Sequence, residues 1–118
     1  MMPDPYDLGL DVGSVSVNLV LLSAAGEVLQ EEYRRHLGDT YATALALLAD
    51  LAPEFPLDQC RLAAFTGLGG KALAELLGGI FVNEVIAQAR GTYHFHPEAR
   101  SIIDMGGEDA KLILVEEE

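Results

Sequence analysis

Two short segments of this chain carry the same pattern, and that repetition limits the folds available to it. One is Asp11-Val12-Gly13-Ser14-Val15-Ser16-Val17-Asn18; the other is Asp104-Met105-Gly106-Gly107-Glu108-Asp109-Ala110-Lys111. With Asp104 laid on Asp11, Gly106 falls on Gly13, Gly107 on Ser14, Asp109 on Ser16 and Lys111 on Asn18, without a gap. The apolar flank Leu112 to Val115 then falls on Leu19 to Leu22. Two copies are too few for a solenoid, whose repeats stack in series. They fit two related lobes, each opening as strand, acidic residue, glycine turn, strand.

The chemistry of one copy is that of an anion cradle. Tyr6 to Leu10 and Leu19 to Leu22 are apolar runs around a small-residue turn, the pattern of a β-hairpin. Gly13 allows a close backbone approach that a Cβ would block. Successive N–H groups in such a turn form a concave anion nest, and the Ser14 and Ser16 hydroxyls add donors. Asp11, at the strand end, is a carboxylate of the kind that holds a hydrated Mg²⁺. A single copy fits an ordinary hairpin with polar turn residues equally well. Two such loops facing each other would grip a polyphosphate and its metal from both sides.

Strands are expected at about Asp7–Asp11 and Val17–Leu22, with a third over Glu27–Arg35 completing a meander. Thr40 is placed to cap a helix through Asp50, with Tyr41, Ala44, Leu45, Leu48 and Leu51 on one face. Pro53 and Pro56 end it. Arg61–Thr66 reads as a short buried strand, and Gly69–Leu77 as a helix stopped by Gly78-Gly79. Ile80 to Val82 reads as a short strand, and Asn83 caps a helix to about Arg90 or beyond. Strands at Ser101–Asp104 and Ala110–Val115 close the chain. A meander followed by alternating helices and strands predicts an α/β domain with a mixed sheet, with Asp11 and Asp104 at neighbouring strand ends.

Half of the 118 residues are hydrophobic, enough for a real core. No apolar run reaches the ~18 residues of a membrane span, and the N-terminus lacks a signal-peptide pattern. The single cysteine, Cys60, forms no internal disulfide, and a cytoplasmic setting is expected. A net charge of −12 argues against a nucleic-acid or anionic-membrane partner. Phosphate binding survives that charge because backbone amides and Mg²⁺ act locally. His94 and His96, alternating with Tyr93 and Phe95, lack a third ligand at metal spacing and read as surface or packing residues. Gly67-Leu68-Gly69-Gly70-Lys71-Ala72 is no Walker A loop, since its spacer is wrong and Ala72 stands where Ser or Thr belongs. It fits G-x-G-x-x-A, so a dinucleotide site competes with a plain strand-to-helix turn there.

The pair DVGSVSVN and DMGGEDAK resembles the phosphate-1 and phosphate-2 motifs of the actin, sugar-kinase and heat-shock-chaperone ATPase superfamily. Within it, the sequence is most similar to the ATPase activators of 2-hydroxyacyl-CoA dehydratases and the related benzoyl-CoA reductase subunits. Phe65 to Gly69 resembles their TGYG turn, Asn83 to Gly91 their E-x-x-x-H-A-x-G helix, and Arg100 to Asp104 the approach to their IDIGGQD-like signature. The resemblance implies a ribonuclease H-like mixed sheet with a three-strand meander and crossover helices, the lobe of an actin-like ATPase. It implies ATP and Mg²⁺ as cofactors. Gly13, Ser14 and Ser16 would cradle the phosphates, with Asn18 at the end of the first motif. Asp11 and Asp104 would hold the metal through waters, and Gly106 and Gly107 would present amides to the γ-phosphate.

The implied activity is ATP-driven electron transfer to an acyl-CoA dehydratase or reductase partner. A chaperone-like reactivating factor and a small-molecule kinase on the same fold remain alternatives. Asn18 stands where the family has Lys, and loses a cation. Glu108 stands where it has Gln; it repels a γ-phosphate unless protonated or metal-bound, yet suits a base toward water. On this reading residues 1–103 are a first lobe and 104–118 a phosphate-2 hairpin opening a second. The family's iron–sulfur cysteine motif and its adenosine motif are not among these residues. The expectations are that this stretch alone turns over no ATP and that it pairs with a second copy through the edge at Leu112–Val115.

Overall fold

The structure, a computed structural model, describes residues 4–105 and 110–114, with 103–105 and 110–113 described by their backbone alone. The chain divides into a first unit ending at Phe81 and a second beginning at Val82. The first holds β1 (Tyr6–Val12), β2 (Ser16–Ser23), β3 (Val28–Arg35), α1 (Thr40–Leu51), β4 (Cys60–Thr66), α2 (Gly70–Leu77) and β5 (Ile80–Phe81). The second holds α3 (Glu84–Phe95), β6 (Ser101–Met105) and β7 (Ala110–Leu114).

The first unit is built on a five-stranded mixed sheet in the order β3-β2-β1-β4-β5. The meander β1-β2-β3 is antiparallel, and β4 and β5 add in parallel to β1 through α1 and α2. Alternation explains which face is buried. Tyr6, Leu8, Leu10 and Val12 of β1 and Val17, Leu19 and Leu21 of β2 point to one side, where α1 and α2 deliver Ala44, Leu47, Leu48, Leu73 and Ala74. Each fully buried aliphatic side chain there contributes roughly 1.5–3 kcal/mol of transfer free energy. At the start of the sheet, the Tyr6 hydroxyl reaches the carbonyls of Phe55 and Pro56 at 3.0 and 3.1 Å.

Several local expectations shift. Asp39, not Thr40, is the N-cap of α1, and no side chain caps it. The Asp39 carbonyl instead accepts from both the Thr43 N–H and the Thr43 hydroxyl. The helix faces the core with Ala44, Leu47 and Leu48, while Tyr41 and Leu45 are exposed. The periodic pattern fitted two faces of an almost wholly apolar helix, and the sheet chose the one through Leu47. β4 is less buried than its sequence suggests, with only Phe65 fully covered. Helix α2 ends as expected, with Gly78 in the left-handed conformation at φ 75°.

In the second unit, Asn83 caps α3 by accepting the Val85 N–H at 2.8 Å. The helix runs to Phe95, so His94 sits on a helix and His96 at its C-cap rather than on a strand. Among the described residues no group of three or more potential metal-binding side chains is found. Strands β6 and β7 form an antiparallel pair with Asp104 opposite Lys111. No helix of the described residues is long and apolar enough to cross a membrane.

Two tests follow from this packing. Leu47→Ala, at 1% exposure, should lower unfolding stability in urea by about 2–5 kcal/mol. Leu45→Ala, at 42% exposure, should change it by about 0.5 kcal/mol or less. Burial, reinforced by charge on Cys60 and Asp58, raises the Tyr6 ionisation above its ordinary 10.0. Burial, reinforced by Asp7 and partly opposed by hydrogen bonds from the Leu62 and Leu8 backbone, raises the Cys60 thiol above 9.0. A raised folded value favours the neutral form, so this stability is complete below the unfolded values and lost as pH rises through the folded ones. The urea midpoint should therefore fall from about pH 8.5 upward, and Tyr6→Phe should remove the tyrosine's share of the fall.

Candidate functional site

Strands β1, β3 and β4 all end at the same edge of the sheet, because β1 pairs in parallel with β4 and β2 runs antiparallel to both β1 and β3. The β1–β2 turn, the β3–α1 loop and the β4–α2 turn are therefore neighbours at that edge. Open α/β sheets bind ligands outside the carboxyl ends of their strands. Register then sets a polar row. Asp11 on β1 is opposite Asn18 on β2 and opposite Thr66 on β4. Directly opposed residues share a face, so the three lie side by side on the face away from Leu10 and Val12.

The β4–α2 turn closes onto this end of β1 through glycines. The Gly69 N–H donates to the Val12 carbonyl at 3.1 Å. Gly67 has φ 88°, and a Cβ there would stand 2.5 Å from the Val12 carbonyl oxygen and 2.6 Å from Asp11 Oδ1. A Cβ on Gly69 would meet Val12 Cγ1 at 2.7 Å. The glycines of Gly67-Leu68-Gly69-Gly70 are thus used to pack one strand end on another. That is the strand-to-helix turn reading.

The β1–β2 turn is more open than a two-residue hairpin. Gly13 N–H donates to the Ser16 carbonyl at 2.9 Å, but the reciprocal bond is absent among the described residues, and the Gly13 carbonyl lies 3.0 Å from His36 Nε2. The amides of Ser14 and Val15 make no turn or loop hydrogen bond among the described residues, and the Ser16 amide does not donate to the Gly13 carbonyl. Ser14 is exposed and Ser16 half-buried. Unengaged amides and two hydroxyls beside a strand-end carboxylate are what an anion and its cation require.

Of the residues singled out from sequence, Asp11, Gly13, Ser14, Ser16 and Asn18 are brought together here. Asp104 belongs to the second unit, in β6, where its backbone alone is described. Gly106, Gly107 and Glu108 lie outside the described residues. Two participants were missed. Thr66, whose Oγ1 is buried without a hydrogen-bond partner among the described residues, opens the stretch that resembles the TGYG turn but was given no site role. His36, 8% exposed, sits in a His-x-Gly turn after a strand, a spacing that hints at a ring held by local backbone.

No protein-family model matches the chain. The activator of lactoyl-CoA dehydratase of Anaerotignum propionicum is 30% identical over 115 residues, covering 95% of this chain and 43% of the relative. The activator of 2-hydroxyisocaproyl-CoA dehydratase of Clostridium difficile, solved with bound ADPNP, superposes with a TM-score of 0.78 at 26% identity, over 94% of this chain and 41% of that one. The chain is a homologue of the 2-hydroxyacyl-CoA dehydratase activators. Component A of the (R)-2-hydroxyglutaryl-CoA dehydratase of Acidaminococcus fermentans shares the fold, with a TM-score of 0.85 at 23% identity over 96% of this chain and 44% of that one. The fold is thus that of the actin-like ATPases. The chain spans less than half the length of the curated relatives it matches.

The glycine packing is directly testable. Gly67→Ala forces a Cβ into the Val12 backbone at a positive φ, and should destabilise by about 2 kcal/mol or more. Gly38→Ala, also at positive φ (89°) but with nothing within 4 Å, should cost about 1 kcal/mol. Equal losses in thermal or urea unfolding would show that steric contact at Asp11 and Val12 is not what fixes Gly67.

Proposed function

We propose that this chain is the phosphate-binding part of an ATPase that drives electron transfer to a 2-hydroxyacyl-CoA dehydratase or benzoyl-CoA reductase. One observation carries the reading: the amides of Ser14 and Val15, without turn or loop hydrogen bonds at the carboxyl end of β1, in a homologue of activators of which one holds ADPNP. On this proposal Gly13, Ser14 and Ser16 receive the phosphates and Asn18 supplies a neutral donor. Residues 1–103 form the first lobe, and 104–118 bring Asp104, Gly106, Gly107 and Glu108 from the second.

The residues present suit Mg²⁺. Asp11, Thr66 and Asn18 offer hard oxygen donors in one row, and only one of them is a carboxylate. Mg²⁺ keeps most of its waters and binds through one or two carboxylates plus substrate phosphates. On this proposal Asp11 and Asp104 would each hold it through waters, and its charge would offset that of the phosphates. The chain's own groups align the polyphosphate and exclude competing contacts, and Glu108 is assigned to the attacking water. Cluster ligands are assigned to sequence beyond these residues. Cys60 does not suit that role, since its thiol is held neutral by burial and its Sγ lies 3.4 Å from the Leu62 carbonyl.

Calorimetry on the purified chain with ADPNP should show weak binding that EDTA abolishes, and a phosphate-release assay with ATP should stay at background. Ser14→Ala should weaken binding about three- to ten-fold, and Lys71→Ala should leave it unchanged. Binding that survives Ser14→Ala and disappears with Lys71→Ala would put the site on the β4–α2 turn instead.

A further inference from the structure

His36 is the one polar side chain buried among the core of the described residues, and nothing in the phosphate motifs calls for it. Its ring is held at both nitrogens. The Gly38 N–H donates to Nδ1 at 3.0 Å. An amide has only a proton to offer, so Nδ1 is the bare nitrogen and Nε2 carries the hydrogen. Nε2–H therefore donates to the Gly13 carbonyl at 3.0 Å. The main chain of the same residue acts in parallel, its N–H donating to the Val15 carbonyl at 3.1 Å. One residue thus takes both carbonyls that flank the tip of the β1–β2 turn.

A trans peptide points its N–H opposite its C=O. With the Gly13 and Val15 carbonyls drawn to His36, the N–H groups of the same two peptides, those of Ser14 and Ser16, are turned away from it. An ordinary two-residue hairpin closes by donating the Ser16 N–H to the Gly13 carbonyl. Here that carbonyl instead lies 3.0 Å from His36 Nε2, and the Ser16 N–H does not donate to it. The latch is built at a cost. Leu37, 89% exposed, has φ 51°, and Gly38 follows at 89°. A left-handed conformation is unfavourable for leucine, and the exposed side chain recovers none of that cost by packing. What the kink accomplishes is to return the Gly38 N–H onto the ring two residues back.

We infer that His36 is a positioning residue that holds the β1–β2 turn open, competing with hairpin closure so that the Ser14 and Ser16 amides face an incoming phosphate. The phosphate as occupant rests on the function proposed above; the opening of the turn does not. His36→Asn keeps an acceptor near Nδ1 but cannot reach Gly13, whereas His36→Gln keeps a donor near Nε2.

The test is NMR on the 118-residue chain with and without ADPNP and Mg²⁺. In the wild type the imidazole nitrogen shifts should report a proton on Nε2, and the Ser16 amide should exchange rapidly. In His36→Asn the Ser16 amide should gain a through-bond coupling to the Gly13 carbonyl and exchange several-fold more slowly, and ADPNP binding should weaken about ten-fold or more. His36→Gln should restore both. A merely structural histidine would give the reverse in exchange, a loosened turn with a faster Ser16 amide, and that result overturns the inference, as does a wild-type ring protonated on Nδ1. If the Ser16 amide closes as expected but wild type binds no ADPNP, the latch stands and the phosphate reading falls.

Discussion

The site depends on β1 being paired on both sides by strands of opposite sense. Antiparallel β2 brings Asn18 beside Asp11 and makes the turn at Gly13; parallel β4 brings Thr66 beside Asp11 and delivers the glycine turn that closes on Val12. A strand in this position must be buried on its helix-facing side, and Tyr6, Leu8, Leu10 and Val12 are. The alternate positions are thereby freed for chemistry, and Asp11 is the last of them. The carboxylate is placed by the same two-residue period that builds the core.

Around that strand, two loops approach the turn with different physics. The β4–α2 turn reaches β1 by having no side chain: Gly67 and Gly69 sit where a Cβ would overlap Val12 and Asp11. The β3–α1 loop reaches the turn by having one of defined hydrogen-bonding polarity, His36, with an acceptor on one ring nitrogen and a donor on the other. The first contact is steric and fixes distance. The second is directional and fixes which way peptide groups face.

Much of this was legible in the sequence because it is periodic or repeated. The meander, the crossover helices, the Asn83 cap and the turn at Gly13 all follow from patterns that local chemistry enforces. The buried face of α1 did not, because its residues are apolar almost all round, and only the sheet decides between Leu45 and Leu47. The alternation of His94 and His96 with Tyr93 and Phe95 does not mark a strand, since the helix capped at Asn83 runs to Phe95 and ends with His96 as its C-cap. His36 escaped notice because a lone histidine has no pattern, and Thr66, though it stands in the TGYG-like stretch, was given no role there. Their meaning comes from register with residues far away in the chain.

The parallel pairing of β1 with β4 also has a consequence in time. Tyr6 meets Cys60 and Asp11 meets Thr66 only after the meander and α1 have been traversed, whereas the bond from His36 to Gly13 spans 23 positions. Loop-closure entropy favours the nearer contact, and long-range parallel pairing is intrinsically slow. The order of assembly expected from this is meander first, with the turn already propped open, and β4 and β5 after it. The cradle is then older, on each folding journey, than the sheet that surrounds it.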